Sequence, residues 1–255
     1  MLLAIDVGNT QTVIGLYSDD ELLDHWRIHT QRERTSDELA LMVQEFLGFH
    51  GFSFDEDVEG IVIASGVPSI TGALREMTER YFGFPPVVLG PGVKTGMPIL
   101  YDDPTAVGPD RIADAVAAFS LYGGPVIVVD FGTATVFDGI SAKGEYLGGA
   151  IVPGVEISLE ALYARSSLLR RVELVEPRGA IGRSTAESLQ AGTLYGFAAM
   201  VDGLVDRFQD ELGVSTVVGT GGLASVIAPH TASIQHTDPW LTLHGLRIIY
   251  EKNRP

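Results

Sequence analysis

Two short stretches of this chain carry residue types suited to handling phosphate. Asp6-Val7-Gly8-Asn9-Thr10-Gln11-Thr12-Val13 follows the apolar run Leu2–Ile5, and Asp130-Phe131-Gly132-Thr133-Ala134-Thr135 follows the apolar run Val126–Val129. An acid at the end of a buried strand costs desolvation energy unless it is paired or meets a cation. The glycine two residues on allows a tight turn, and the turn's N–H groups can then face phosphate oxygens as an anion nest. Asn9, Thr10 and Thr12 add short polar groups without bulk. One such motif is common among turns. Two of them, similarly spaced, predict a pair of phosphate-facing loops on either side of a cleft.

A third element is Val217-Val218-Gly219-Thr220-Gly221-Gly222. It reads either as a shelf for adenosine, where missing side chains admit a flat base, or as an ordinary strand-to-helix turn that needs a left-handed backbone. Other nucleotide signatures fail. Gly90-Pro91-Gly92-Val93-Lys94-Thr95 lacks the glycine that a Walker A loop places directly before its lysine. No G-x-G-x-x-G follows the first strand, which argues against a dinucleotide fold.

For proton transfer the informative stretch is Gly108-Pro109-Asp110-Arg111. Gly-Pro marks a turn into a helix. Asp110 could accept a hydroxyl proton while Arg111 grips an anion, or Asp110 could be an N-cap and Arg111 a surface residue. Gly182-Arg183-Ser184-Thr185 similarly precedes a long helix, where Ser184 or Thr185 caps the helix or meets substrate. His25 and His29 fall in an expected strand, where i and i+4 do not converge on a metal as they would on a helix. Leu39, Val43, Phe46 and Leu47 form the core stripe of an amphipathic helix.

The elements that must position these residues alternate. Strands are expected at Leu2–Asp6, Thr12–Tyr17, Leu22–Ile28 and Gly60–Ala64, with a helix over Ser36–Phe49 opened by Ser36 as N-cap and by early acids. A helix runs to about Phe82, Phe84–Asp103 is a loop with at most one short strand, and Arg111–Leu121 is helical. After Gly123-Gly124-Pro125 the pattern restarts with strands Val126–Asp130, Thr133–Ile140 and Glu145–Ala150. Helices follow at Gly154–Arg165 and Thr185–Glu211, then a strand at Ser215–Val218 and a helix near Leu241–Glu251. Asp6 and Asp130 align at an offset of 130 − 6 = 124, which also sets Gly15 on Gly139. Ala64-Ser65-Gly66 resembles Gly219-Thr220-Gly221 at 219 − 64 = 155. The expectation is an α/β protein made of two copies of one βββαβα unit, residues 1–122 and 123–255.

Composition narrows the class. Hydrophobic residues are 45% of the 255, enough for packed cores rather than disorder. The balance of 17 basic against 33 acidic residues, a net charge of −16, argues against a nucleic-acid footprint. An acidic protein that binds ATP must neutralise phosphate locally, which points to backbone N–H groups and Mg²⁺. There are no cysteines, so disulfides, thiolate zinc sites and thiol nucleophiles are excluded. The N-terminal run meets an acid at residue 6 and has no basic flank, unlike a signal peptide. No apolar stretch approaches the ~20 residues that span a bilayer, so the expected location is the cytoplasm.

In five motifs taken in order the chain resembles the type III pantothenate kinases: Asp6–Thr10, Gly108–Arg111, Asp130–Thr135, Gly148-Gly149-Ala150-Ile151-Val152-Pro153-Gly154 and Gly182–Thr185. The resemblance implies two duplicated ribonuclease H-like (actin-like ATPase) domains and ATP-dependent phosphorylation of pantothenate, the first step of coenzyme A biosynthesis. It implies that Asp6 through Val13 form the ATP phosphate loop, with Asp6 organising Mg²⁺ directly or through water. Thr133 would contact ATP, and Asp130 would bind a monovalent cation, K⁺ or NH₄⁺. Tyr101, Gly108, Pro109, Asp110, Arg111 and Thr185 would line the pantothenate site with Asp110 as general base, in a homodimer. One departure is Ala64-Ser65-Gly66-Val67-Pro68, where the family more often has Ser-Ser-Val-Val-Pro. The rival readings are a non-catalytic regulator on the same fold, or a sugar kinase or polyphosphate-handling phosphatase of the same superfamily.

Overall fold

The computed structural model describes residues 1–166 and 168–254, with Asp55 described by its backbone alone. In chain order the elements are β1 (Leu2–Val7), β2 (Gln11–Ser18), β3 (Glu21–His29), α1 (Ser36–Gly48), α2 (Phe54–Asp57), β4 (Gly60–Ser65), α3 (Pro68–Met77), β5 (Val87–Val88) and α4 (Pro109–Tyr122). Then come β6 (Val126–Phe131), β7 (Ala134–Ile140), β8 (Tyr146–Pro153), α5 (Val155–Arg165), α6 (Thr185–Leu212), β9 (Thr216–Thr220), α7 (Ala224–Ile227), β10 (His236–Thr237) and α8 (Leu241–Asn253). A π-helical turn at Thr78–Phe82 extends α3, and a short 3₁₀ turn covers Pro104–Ala106.

The described residues form two five-stranded sheets, ordered β3-β2-β1-β4-β5 and β8-β7-β6-β9-β10. In each, the first three strands form an antiparallel meander, and the fourth returns parallel to the first. The duplicated unit expected from the sequence is therefore present, with a short fifth strand added to each copy. The central strands β1 and β6 share one burial pattern, with every residue buried except a half-buried aspartate in the fifth position. Those aspartates are Asp6 and Asp130. A strand flanked on both sides is apolar throughout, so the one polar break marks where each sheet turns to chemistry.

The register corrects both sequence offsets by one residue. Asp6 lies opposite Val13 and Asp130 opposite Val136, so the second hairpin is one residue shorter than the first. Gly15 faces Ala4, whose counterpart Val128 faces Asp138; Gly15 corresponds to Asp138, not Gly139. Likewise Asp6 aligns with Ala64 and Asp130 with Thr220, an offset of 220 − 64 = 156 rather than 155. An offset counted along sequence cannot see a residue lost within a turn.

By contacts the chain divides into two compact units: Met1–Ala117 together with the chain from Leu241 onward, and Ala118–Trp240. The first has a core of Leu3, Ile5, Val7, Leu16, Ile61, Ile63 and Leu74 under α1 and α3. The second packs Ile127, Val129, Phe131 and Phe137 against Leu194, Val201 and Val205 of α6. Each fully buried side chain of this size contributes roughly 1.5–3 kcal/mol. α1 is capped by Thr35, one residue before the expected Ser36. Thr35 and Glu38 close a capping box, Thr35 accepting from the Glu38 N–H and Glu38 from the Thr35 N–H.

The first unit holds α8 through close approach at glycines. A side chain at Gly60 would meet the Tyr250 hydroxyl, and one at Gly245 would meet the Ala113 carbonyl. At Gly15 it would lie 2.8 Å from Leu243 Cδ1. Polar pairs add to this: Thr242 Oγ1 donates to Asp114 at 2.7 Å, and Tyr17 Oη lies 2.8 Å from His244 Nδ1.

Candidate active site

The first loop is built by the β1–β2 turn and tied down by the segment after β3. The Gly8 N–H donates to the Gln11 carbonyl at 3.0 Å, so it serves the turn itself rather than a ligand. A Cβ on Gly8 would lie 3.1 Å from that same carbonyl, and this crowding, rather than a left-handed backbone, favours glycine there. Thr30 then clamps the loop twice. Its N–H donates to the Thr10 carbonyl at 3.0 Å, and its hydroxyl donates to the Gly8 carbonyl at 2.8 Å. Because that hydroxyl has one proton, the 2.9 Å contact between Thr12 and Thr30 has Thr12 as the donor. Arg32 reaches back to donate to Asn9 Oδ1 at 3.2 Å.

Asn9, Thr10 and Gln11 are exposed, Asp6 and Val13 half-buried, and Val7 and Thr12 buried. The residues expected to meet phosphate thus divide into an exposed rim and a buried support. Sequence reading missed Thr30 and Arg32. Their only signal is register: Thr12 pairs with Ile28, which sets Thr30 two residues past the pair on the same face.

The second loop, Gly132-Thr133, joins β6 to β7. A Cβ on Gly132 would lie 3.3 Å from Asp130 Oδ2. Gly221, in the glycine-rich turn after β9, has φ +88°; a side chain there would strike Asp130 Oδ1 and come within 2.7 Å of the Phe131 nitrogen. The structure therefore brings the third sequence motif directly against the second aspartate, and the left-handed turn among its two readings is observed. Thr133 is exposed, and Gly154, just before α5, packs so closely that a Cβ would meet the Gly132 and Thr133 carbonyls.

The stretch expected to bind the second substrate opens α4. The Gly108 carbonyl accepts the Ile112 N–H at 3.2 Å and Pro109 occupies the first helical position. Gly108, not Asp110, is thus the cap residue. Asp110 is exposed, and its Oδ1 accepts the Arg111 N–H at 2.9 Å. A side chain at Gly108 would collide with that oxygen. Arg111 is half-buried, and Tyr101 is 36% exposed ahead of the Pro104–Ala106 turn. In the second unit Thr185 is the exposed first residue of α6, and Ser184 is the N-cap, accepting the Glu187 N–H at 3.2 Å. Glu187 in turn accepts from Arg178 Nε at 2.6 Å and from the Arg183 N–H at 2.9 Å. The Arg178 hydrogen bond, then that of Arg183, holds the Glu187 carboxyl below its ordinary pKa. Gly182 lies against the first turn of α6, where a Cβ would be 2.6 Å from the Glu187 carbonyl carbon.

The donor sets fit hard cations. Each aspartate offers carboxylate oxygens at a half-buried strand end, and glycines at 132 and 221 keep bulk away from Asp130. Among the described residues no group of three or more His, Cys, Asp or Glu forms a protein-only cage. One carboxylate with remaining ligands from phosphate and water is a usual Mg²⁺ arrangement. His25 and His29 lie in a strand, as read from the sequence; the structure makes it the edge strand β3 and leaves both exposed.

The family model for type III pantothenate kinases matches residues 2–207. This chain belongs to the type III pantothenate kinase family. A type III pantothenate kinase from Streptomyces griseus subsp. griseus is 53% identical over 261 residues, covering 99% of this chain and 98% of that one. Family membership makes the protein a kinase, a phosphotransferase. Solved structures share its fold at low identity. A Campylobacter jejuni protein described as a Baf family transcriptional activator has a TM-score of 0.61 at 20% identity, covering 98% of both chains. A Porphyromonas gingivalis protein described as an N-acetylglucosamine kinase has a TM-score of 0.50 at 13%, covering 100% of both. These likenesses concern the fold, the duplicated ribonuclease H-like (actin-like ATPase) class. Among the described residues no helix is long and apolar enough to cross a membrane.

Proposed function

We propose that this protein transfers the γ-phosphoryl group of ATP to the primary hydroxyl of pantothenate, giving 4′-phosphopantothenate, the first step of coenzyme A biosynthesis. The observation that supports this most is the repeated aspartate: the same strand position, with the same burial, opens a glycine turn in both sheets of a chain that belongs to this family.

Phosphoryl transfer passes through a loose transition state, so positioning and charge neutralisation dominate. Asp6 through Val13 bind the ATP phosphates, and Thr133 contacts ATP from the second loop. Asp6 holds Mg²⁺, directly or through water, and Asp130 holds K⁺ or NH₄⁺; when bound, these ions neutralise phosphate charge. Tyr101, Gly108, Pro109, Arg111 and Thr185 line the pantothenate site, with Arg111 on the substrate carboxylate. Asp110 orients the hydroxyl and takes its proton late. Its Oδ1 is already engaged by the Arg111 N–H, which leaves Oδ2 to meet the substrate. The protein works as a cytoplasmic homodimer.

The test is ATP-dependent phosphorylation of pantothenate by the purified protein in Mg²⁺ buffer, with and without K⁺. Turnover that requires K⁺ is expected. Turnover without it removes the cation role of Asp130. Turnover of glucose in place of pantothenate would overturn the substrate assignment in favour of a sugar kinase.

A further inference from the structure

The two copies of the repeat treat one buried hydroxyl differently. Thr12 and Thr135 hold the same place, each opposite the residue after its aspartate, Val7 and Phe131 respectively. In the first copy Thr12 donates to Thr30, which donates to the Gly8 carbonyl, so a hydroxyl chain supports the loop. In the second copy Thr135 is 0% exposed and its Oγ1 has no hydrogen-bond partner among the described residues. The reason lies one strand away. Thr12 pairs with Ile28 and Thr135 with Val152, so the counterpart of Thr30 is Gly154, which has no hydroxyl. The Gly132 and Thr133 carbonyls instead press against Gly154 directly.

A buried hydroxyl without a partner is costly, and a Val of the same shape would remove the cost. A Thr at this position calls for a use. We infer that Thr135 is a positioning residue of the second phosphate loop, its hydroxyl bonding the Gly132–Thr133 backbone when that turn closes on a nucleotide triphosphate. Thr135 does not touch phosphate itself; it acts through the turn. The first loop is pinned by its Thr12–Thr30 chain, whereas the second meets a glycine, Gly154, at the place of Thr30, so adjustment falls to the second. The inference rests on the reading of this loop as an ATP site.

The experiment compares wild type with Thr135→Val and Thr135→Ser, measuring Tm without nucleotide and Mg-ATP binding by calorimetry. Thr135→Val is expected to raise Tm by roughly 2–5 °C and to weaken ATP binding about 5–30-fold. Thr135→Ser, which keeps the hydroxyl, is expected to bind within about 3-fold of wild type. A lower Tm for Thr135→Val would show that the hydroxyl already has a partner and would overturn the inference. So would a valine variant that binds ATP as wild type does. Failure of wild type itself to bind ATP would overturn the kinase reading and this inference with it.

Discussion

Replacing Gly108 by Ala would put a methyl group where the Asp110 carboxylate lies. The added Cβ would collide with Oδ1 and stand 3.5 Å from Cγ and 3.8 Å from Arg111 Cδ. To regain van der Waals separation the oxygen must retreat by about 1 Å. Asp110 is exposed, so its side chain can swing away at little cost to the fold. The fold loses mainly the preference for Gly over Ala at the cap of α4, about 0.5–1 kcal/mol, or a Tm lower by roughly 1–4 °C. Catalysis should suffer far more, because a misplacement of ~1 Å in a reacting group can cost about 10²-fold. The assay is steady-state phosphorylation of pantothenate at a temperature well below both Tm values, with Asp110→Asn alongside. Gly108→Ala is expected to lower kcat by about 10²-fold and Asp110→Asn by ~10²–10⁴. A Gly108→Ala enzyme within about 3-fold of wild-type kcat would refute both the placement of the base and its role.

Arg111→Ala should raise KM for pantothenate by about 10–100-fold, the worth of a charge-assisted hydrogen bond, while KM for ATP changes little; equal rises would make Arg111 structural. Gly221→Ala meets a left-handed backbone and the Phe131 nitrogen at once. It should cost at least about 2 kcal/mol, seen as a Tm lower by ~5–10 °C, and should abolish K⁺ activation; unchanged activation would separate Asp130 from the cation. Glu187 has its folded pKa depressed by the Arg178 and Arg183 hydrogen bonds. Its contribution is therefore present above the ordinary value near 4.5 and is lost as pH falls through the folded value. Glu187→Gln should flatten the acid limb of a stability-against-pH curve below that point, and an identical limb would refute the pairing.

Much of this architecture can be read from residue patterns, because two physical constraints act on short windows of sequence. A central strand must be apolar, so one aspartate at its end stands out, and two such strands announce a duplication. What escapes is whatever depends on pairing across strands. Thr30 supports the first loop from 22 residues away in sequence, and Gly154 replaces it in the second copy. The missing residue in the second hairpin shifts the counterparts along β2 and β7 by one, which is why Gly15 pairs with Gly139 in sequence and with Asp138 in space. The α1 cap slipped from Ser36 to Thr35 for a related reason. Both are good caps, and the choice is made by Glu38, which completes a box only with Thr35.

The grouping of α8 with the first sheet makes the second unit an insertion: residues 118–240 are contiguous, whereas the first unit is assembled from both sides of them. During synthesis the inserted unit can close its core while its host still lacks a wall. Until Leu241 and the residues after it emerge, Gly15, Gly60 and Ala113 wait for the helix they were shaped to receive. Lesions in α8 would therefore act as assembly defects. They would leave a nascent chain with one finished half and one open sheet, a species that invites aggregation before any enzyme exists to be measured.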